Sequence, residues 1–197
     1  MRQELIKELK PALKLVYPEV FTGVADLYVF FYARALQLLR PGGMLVFISS
    51  NKWFRAGYGA KLRAHIAQTT QVRSITDFGD LPVFQEADAY PMIFLAAKHG
   101  LETPVAATEI TRWTPVKTLA PPYPDVLKLV TESGQLLPAE ALSGSEWTLA
   151  DAQTAKRLTT MRANGTPLGE YVNGQIFYGV KTGFNAAFVI DGATRLN

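Results

Sequence analysis

The 197-residue sequence contains no cysteine and only two histidines, His65 and His99. The first absence excludes disulfides and thiolate metal sites and fits a reducing compartment; the second leaves too few imidazoles for a histidine-based cluster. No metal site and no hydrolytic zinc chemistry are expected. Long apolar runs are missing as well: DLYVFFYARALQLL is broken by Arg34 and ends before Pro41, short of the roughly 18 apolar residues that a membrane helix needs. The first ten residues, MRQELIKELK, are charged and have no apolar centre of the kind that marks a signal peptide. A cytoplasmic protein without membrane partners is the expectation. Acidic residues are absent over one long stretch: from Leu27 to Thr76 there is none.

What the chain has is the composition of a folding polypeptide, 48% hydrophobic and 19% charged, long enough for one sizeable core or two small ones. The acid-free stretch carries seven bases, Arg34, Arg40, Lys52, Arg55, Lys61, Arg63 and Arg73, whereas residues 101–197 carry eight bases and nine acids. A one-signed segment is either a solvated helix face or a surface that attracts polyanions, of which nucleic acid is the commonest.

Helix and strand signals alternate through the first half. Asp26 stands as an N-cap before LYVFFYARALQLL, where Leu27, Phe30, Phe31, Arg34 and Leu38 follow helical spacing up to Arg40-Pro41-Gly42-Gly43. MLVFIS then reads as a buried strand, AKLRAHIAQT as a second helix, VRSITDF as a second strand and MIFLAAK as a third. This order describes half of a doubly wound, Rossmann-like α/β sheet, with parallel crossovers favoured. Beyond residue 101 the texture changes: TEITRWTPVKTL is extended, APPYP a break, DVLKLVTES a short helix, and TLADAQTAKRLTTMRANG a helix ending at Asn164-Gly165. The tail, LGEYVNGQIFYGVKTGFNAAFVIDG, reads as two strands with glycine turns.

Ligands of such sheets bind beyond the carboxyl ends of the strands. Two loops open there. After MLVFIS come Ser50-Asn51-Lys52-Trp53, and Arg55 follows; after VRSITDF comes FGDLPVF, which sets Phe84 in an otherwise acidic and small-residue connection. Phe84 is either a plug over the sheet edge or a ring waiting for something flat. Trp53 and Phe54 suit core packing; Lys52 and Arg55 are either solvated or phosphate contacts.

The ordered set DLY, PGG, SNKW, DFGD-x-x-VF, AYP and GVKTGFN-x-AF resembles the adenine-specific DNA methyltransferases of the type IIG restriction–modification group and related phage-defence methylases. The resemblance spans nearly the whole chain. It implies methyl transfer from S-adenosylmethionine to the exocyclic amine of an adenine in double-stranded DNA, with the base rotated out of the duplex. Phe84 matches the family position whose ring stacks on that base, and Phe31 a position against the cofactor's adenine. The bland alternative for Phe31 is burial under the sheet. Asn51, Lys52 and Arg55 fall where DNA would be contacted. In GVKTGFNAAF, Lys181, Thr182 and Asn185 would meet phosphates or bases as a recognition domain begins, or else form only a glycine-stabilised hairpin.

The family also holds its cofactor on a Gly-containing loop with a ribose-binding acid, and it grips the adenine amine through an Asn/Asp-Pro-Pro-Tyr tetrapeptide. None of these occurs in this sequence. The chain is therefore expected to be an internal piece of such an enzyme, inactive and without bound cofactor by itself. Residues 1–110 would be the C-terminal part of the catalytic domain, 111–135 a connection, and 136–197 the start of a target-recognition domain. The alternative is a non-catalytic DNA-binding or assembly module that needs a partner chain. A sheet edge left open by the absent neighbour would invite self-association.

Overall fold

The computed structural model describes residues 3–84, 90–100, 111–120 and 125–177. They begin with a 3₁₀ turn, Gln3–Leu9, and a short helix α1, Lys10–Val16, with Pro11 in its first turn where a missing N–H costs nothing. Helix α2 spans Leu27–Leu38 and strand β1 Met44–Ser50. Two 3₁₀ turns, Asn51–Phe54 and Gly57–Gly59, lead into α3, Ala60–Thr69. Strands β2 (Thr70–Asp77), β3 (Pro91–Lys98) and β4 (Thr111–Pro115) follow. Helix α4 (Val126–Ser133), strand β5 (Gln135–Leu137), helix α5 (Ala152–Asn164) and a last helical turn α6 (Leu168–Tyr171) complete the order.

The five strands form one sheet in the order β1-β3-β2-β4-β5. Antiparallel β3 lies between β1 and β2, which therefore run in the same direction, and β4 is parallel to β2. The α/β class expected from the sequence is present, with one difference. The crossover through α3 carries the chain past one strand position, and β3 returns by its loop to fill the gap, so β1 and β2 are parallel but not adjacent.

The core sits on one face of the sheet. Phe47, Phe94, Ile75 and Trp113 stand in register across β1, β3, β2 and β4. Above this row Tyr32 meets Phe47, Trp53 and Phe94 at ring separations of 4.9, 5.3 and 5.6 Å, the offset and edge-on geometry that aromatic quadrupoles prefer. Helix α2 buries Val29, Phe30, Tyr32, Ala33 and Leu36; of the positions that follow the helical spacing in the sequence, Phe30 is in the core and Leu27 packs against it, whereas Phe31 and Leu38 are exposed. The segment is apolar nearly all round, so several stripes satisfy the same period and packing makes the choice. Lys98 ends α2 from across the fold, donating to the carbonyls of Leu36 and Leu39 at 2.7 and 2.8 Å, where the last carbonyls of a helix favour a cation.

The opposite face of β1 is different. Met44, Val46 and Ile48 are half or more exposed, Val46 to 64%, and β1 is the terminal strand of the sheet.

The chain divides into two compact units, residues 1–155 and 156–197. The first takes in the segment 111–135, whose strand β4 is part of the sheet. In the second, LGEY forms the helical turn α6 where a strand was expected. Four residues of alternating character after Pro167 fit either state, and local backbone bonds from Glu170 and Tyr171 to Pro167 decide for the helix. No helix among the described residues is long and apolar enough to cross a membrane.

Candidate active-site pocket at the strand tips

A cavity of about 790 Å³ opens at the carboxyl ends of β1 and β2, where ligands of open α/β sheets bind. Its size is that of a small-molecule pocket. The turn after β1 contributes Asn51, Lys52, Phe54, Arg55, Ala56 and Tyr58, and the end of β2 contributes Asp77, Gly79 and Asp80. Asp26, Tyr90 and Leu149 close the remaining sides.

The two strand tips are tied by one side-chain pair. Asn51 Nδ2 donates to Asp77 Oδ1 at 2.8 Å, and the Gly79 N–H donates to the same oxygen at 3.0 Å. Gly79 has φ +57°, a conformation that glycine adopts without steric cost, and it bends the chain away from the sheet directly after Phe78. Phe78 itself is buried. Short backbone bonds from Leu81 to Phe78 and from Val83 to Leu81 then curl the loop. Phe84 emerges from it 45% exposed. Its ring is not among the cavity's lining residues.

On the facing side the Asn51 N–H donates to the Tyr90 carbonyl at 2.7 Å, and the Lys52 ammonium lies over the Tyr90 ring at 5.2 Å from its centroid. Lys52 and Arg55 are both exposed. Asp26 holds the N-cap position of α2 without making a side-chain cap; its carboxylate instead lies by the Tyr58 hydroxyl and acts on it electrostatically. Tyr58 and Tyr28 share a short hydroxyl–hydroxyl bond. Burial, then the bond to Tyr58, pushes the Tyr28 phenol far above its ordinary range; burial likewise raises Tyr58, with the Tyr28 bond opposing and Asp26 adding. Both phenols keep their protons at neutral pH, and Tyr58, the member of the pair that lines the cavity, offers a hydroxyl beside the Asp26 carboxylate. The pocket thus combines three carboxylates, two cations at its mouth and flat apolar surface, a set suited to a planar ligand that offers hydrogen-bond donors.

Trp53 and Phe54 are buried beneath the turn, as core packing required. Phe31 is 55% exposed on the outer side of α2, so burial under the sheet does not account for it. Lys181, Thr182 and Asn185 lie outside the described residues. One member of the basic segment does not belong to any solvent-facing patch: Arg63 is only 6% exposed and spends its guanidinium on backbone carbonyls. A charge count along the sequence has no means of separating a clamp from a surface base. Sequence reasoning also passed over Asp77 and Tyr90 as site residues. Both stand inside quoted motifs, DFGD and AYP, and the strand ends on which they sit were the available signal.

Residues 1–84 match the family model of the Eco57I restriction-modification methylases. The chain is 29% identical over 85% of its length to the type II methyltransferase M.PaeR7I of Pseudomonas aeruginosa. It is 27% identical over 98% of its length to M.XhoI of Xanthomonas vasicola, and 29% over 97% to M.BstVI of Geobacillus stearothermophilus. It spans 29–36% of the length of these curated relatives. Among solved structures, a chain described as a class I S-adenosylmethionine-dependent methyltransferase of Listeria monocytogenes aligns over 52% of this chain with 16% identity and a TM-score of 0.41. A chain from a type I restriction–modification assembly aligns over 76% with 12% identity and a TM-score of 0.46. The family model and the curated relatives bear out the resemblance to restriction–modification methylases carried by the sequence motifs.

Proposed function

We propose, from this kinship with the type II restriction–modification methylases, that these residues furnish the distal part of the catalytic domain of a site-specific DNA adenine methyltransferase. The reaction is transfer of a methyl group from S-adenosylmethionine to the exocyclic amine of an adenine extruded from the duplex. The observation that carries the reading is the cavity at the tips of β1 and β2, with cations on its rim and a solvent-facing ring on the adjoining loop. An extruded base needs a flat partner, and stacking on an aromatic ring is worth about 1–3 kcal/mol.

In this reading Phe84 stacks on the base. Lys52 and Arg55 meet the phosphates that flank it, and Asn51 holds the tip from which both project. Lys181, Thr182 and Asn185 take further backbone contacts from the recognition segment. Residues 1–110 belong to the catalytic domain in this reading, together with 111–137, since β4 and β5 extend the same sheet, and the recognition domain opens further along, within 138–197.

For S-adenosylmethionine these residues offer one exposed aromatic face, Phe31, and no Gly-containing cofactor loop or Asn/Asp-Pro-Pro-Tyr tetrapeptide. They do not make a complete cofactor site, and the 197-residue polypeptide alone is not expected to methylate DNA. Two titrations test the reading together. A fluorescent duplex should bind with an affinity that falls steeply with salt, while calorimetry with S-adenosylmethionine should give no heat. Salt-independent DNA binding, or micromolar cofactor affinity, would contradict it.

A second reading rests on a separate observation. Among the described residues the terminal strand β1 has no neighbour on its outer edge and exposes the side chains of Met44, Val46 and Ile48, a template for pairing with another chain. An assembly module that receives a partner's strand, or a second copy of itself, fits that surface.

A further inference from the structure

We infer that Arg63 is a positioning residue, a buried clamp that locks the pocket-lining turn 51–59 to a strap formed by residues 143–149. The guanidinium donates to the carbonyls of Trp53 and of Ala56, the latter at 3.1 Å, and its Nε donates to the Ser145 carbonyl at 2.5 Å across 82 residues of chain. A planar fork with five donors can hold three carbonyls in a fixed relation, which an ammonium cannot do. The arrangement is tight. A Cβ on Gly59 would collide with the Trp53 carbonyl and stand 2.9 Å from the Arg63 guanidinium, so the turn has room only for glycine there.

The strap is seated by a second contact. Trp147 lies against Trp53, Phe54 and Phe94 at ring separations of 5.2, 5.7 and 6.4 Å. Its indole N–H is buried and has no protein partner among the described residues, a cost that packing must offset. Two residues on, Leu149 forms part of the cavity wall. The turn on the other side of the clamp carries Lys52, Arg55 and Tyr58 into the same cavity. Arg63 therefore fixes two walls of one pocket relative to each other without lining it. Opening the strap frees the turn, and freeing the turn opens the strap, because the coupling is reciprocal.

The consequence for DNA rests on the reading of the pocket given above; the clamp itself does not, and the tests separate the two. Amide hydrogen exchange on the 197-residue chain reads the clamp. Segments 53–59 and 143–149 should share one opening constant, distinct from that of β2 and β3. In Arg63→Lys, which keeps the charge, both segments should exchange at least ten-fold faster while β2 and β3 do not. Trp147→Ala, which attacks the strap from its other anchor, should accelerate 53–59 as well. Acceleration of one segment without the other, in either variant, or unrelated opening constants in the unaltered chain, would overturn the clamp. Titration with a duplex then addresses the function. Slowed exchange in both segments supports a DNA-facing pocket, and unchanged exchange with the coupling intact would count against the DNA reading alone.

Discussion

Asn51 and Asp77, at the ends of two strands that are not neighbours, are joined by a 2.8 Å hydrogen bond from amide to carboxylate. The pair spans β3 and makes one rigid rim of the loops after β1 and β2. Hydrogen bonds to a charged group contribute about 1.5–3 kcal/mol. Asp77→Asn removes the charge while keeping an oxygen that can accept the same bonds, so it should lower unfolding stability by roughly 1 kcal/mol, the difference between a charge-assisted and a neutral bond. Denaturant titration checks this; an unchanged midpoint would mean that the rim is held by the backbone alone.

Stability should be highest on a plateau bounded by two kinds of group. Burial lowers the His65 imidazole from its ordinary value, with Glu19 opposing and Lys98 adding. Its contribution is present above the unfolded value of about 6.5 and is lost as pH falls through the lowered folded value. Tyr28 and Tyr58 are raised. Their contribution is full below the unfolded value of about 10 and is lost as pH rises toward the folded ones. Thermal midpoints against pH should fall on both sides. His65→Gln should flatten the acid limb only, and the double variant Tyr28→Phe/Tyr58→Phe the alkaline limb only.

The bare face of β1 predicts association. Val46→Lys with Ile48→Lys places two charges on the exposed face of an edge strand, a device that blocks edge pairing. Sedimentation should show the unaltered chain self-associating with concentration and the variant remaining monomeric. A monomeric unaltered chain would remove the assembly reading.

Lys52, held over Tyr90 at the cavity mouth, is assigned a phosphate. Lys52→Ala should weaken duplex binding across sequences and reduce the slope of log affinity against log salt by about 1. Lys61→Ala, an exposed base outside the cavity lining, should change that slope less. Equal effects would point to diffuse attraction by the whole basic segment.

Much of the sheet was readable before the structure, because its strands and α3 combine short apolar runs or clear periodicity with glycine and proline stops. The strand order was not. Nothing local in PMIFLAAK says that it inserts between two parallel strands; that follows from loop closure and from the aromatic row it completes. The spacing in α2 did not single out its buried face, because Leu27–Leu38 is apolar on nearly every side. Near the site, Lys52, Arg55 and Phe84 stood out through their place after strands; the structure leaves all three exposed, with Lys52 and Arg55 lining the cavity and Phe84 outside it. Arg63 looked like one more surface base because the acceptors that bury it, Trp53, Ala56 and Ser145, are backbone groups and leave no signature in composition.

The central claim is that the cavity and the Phe84 loop receive a base withdrawn from a duplex. Extruding a base costs less when it is mismatched. Fluorescence anisotropy comparing fully paired duplexes with duplexes that carry mismatched adenines tests this most directly. The unaltered chain should bind the mismatched set more tightly, and Phe84→Ala should abolish the difference while retaining the salt-dependent part of the affinity. Equal affinity of the unaltered chain for both sets, or a preference that survives loss of the ring, would contradict the account.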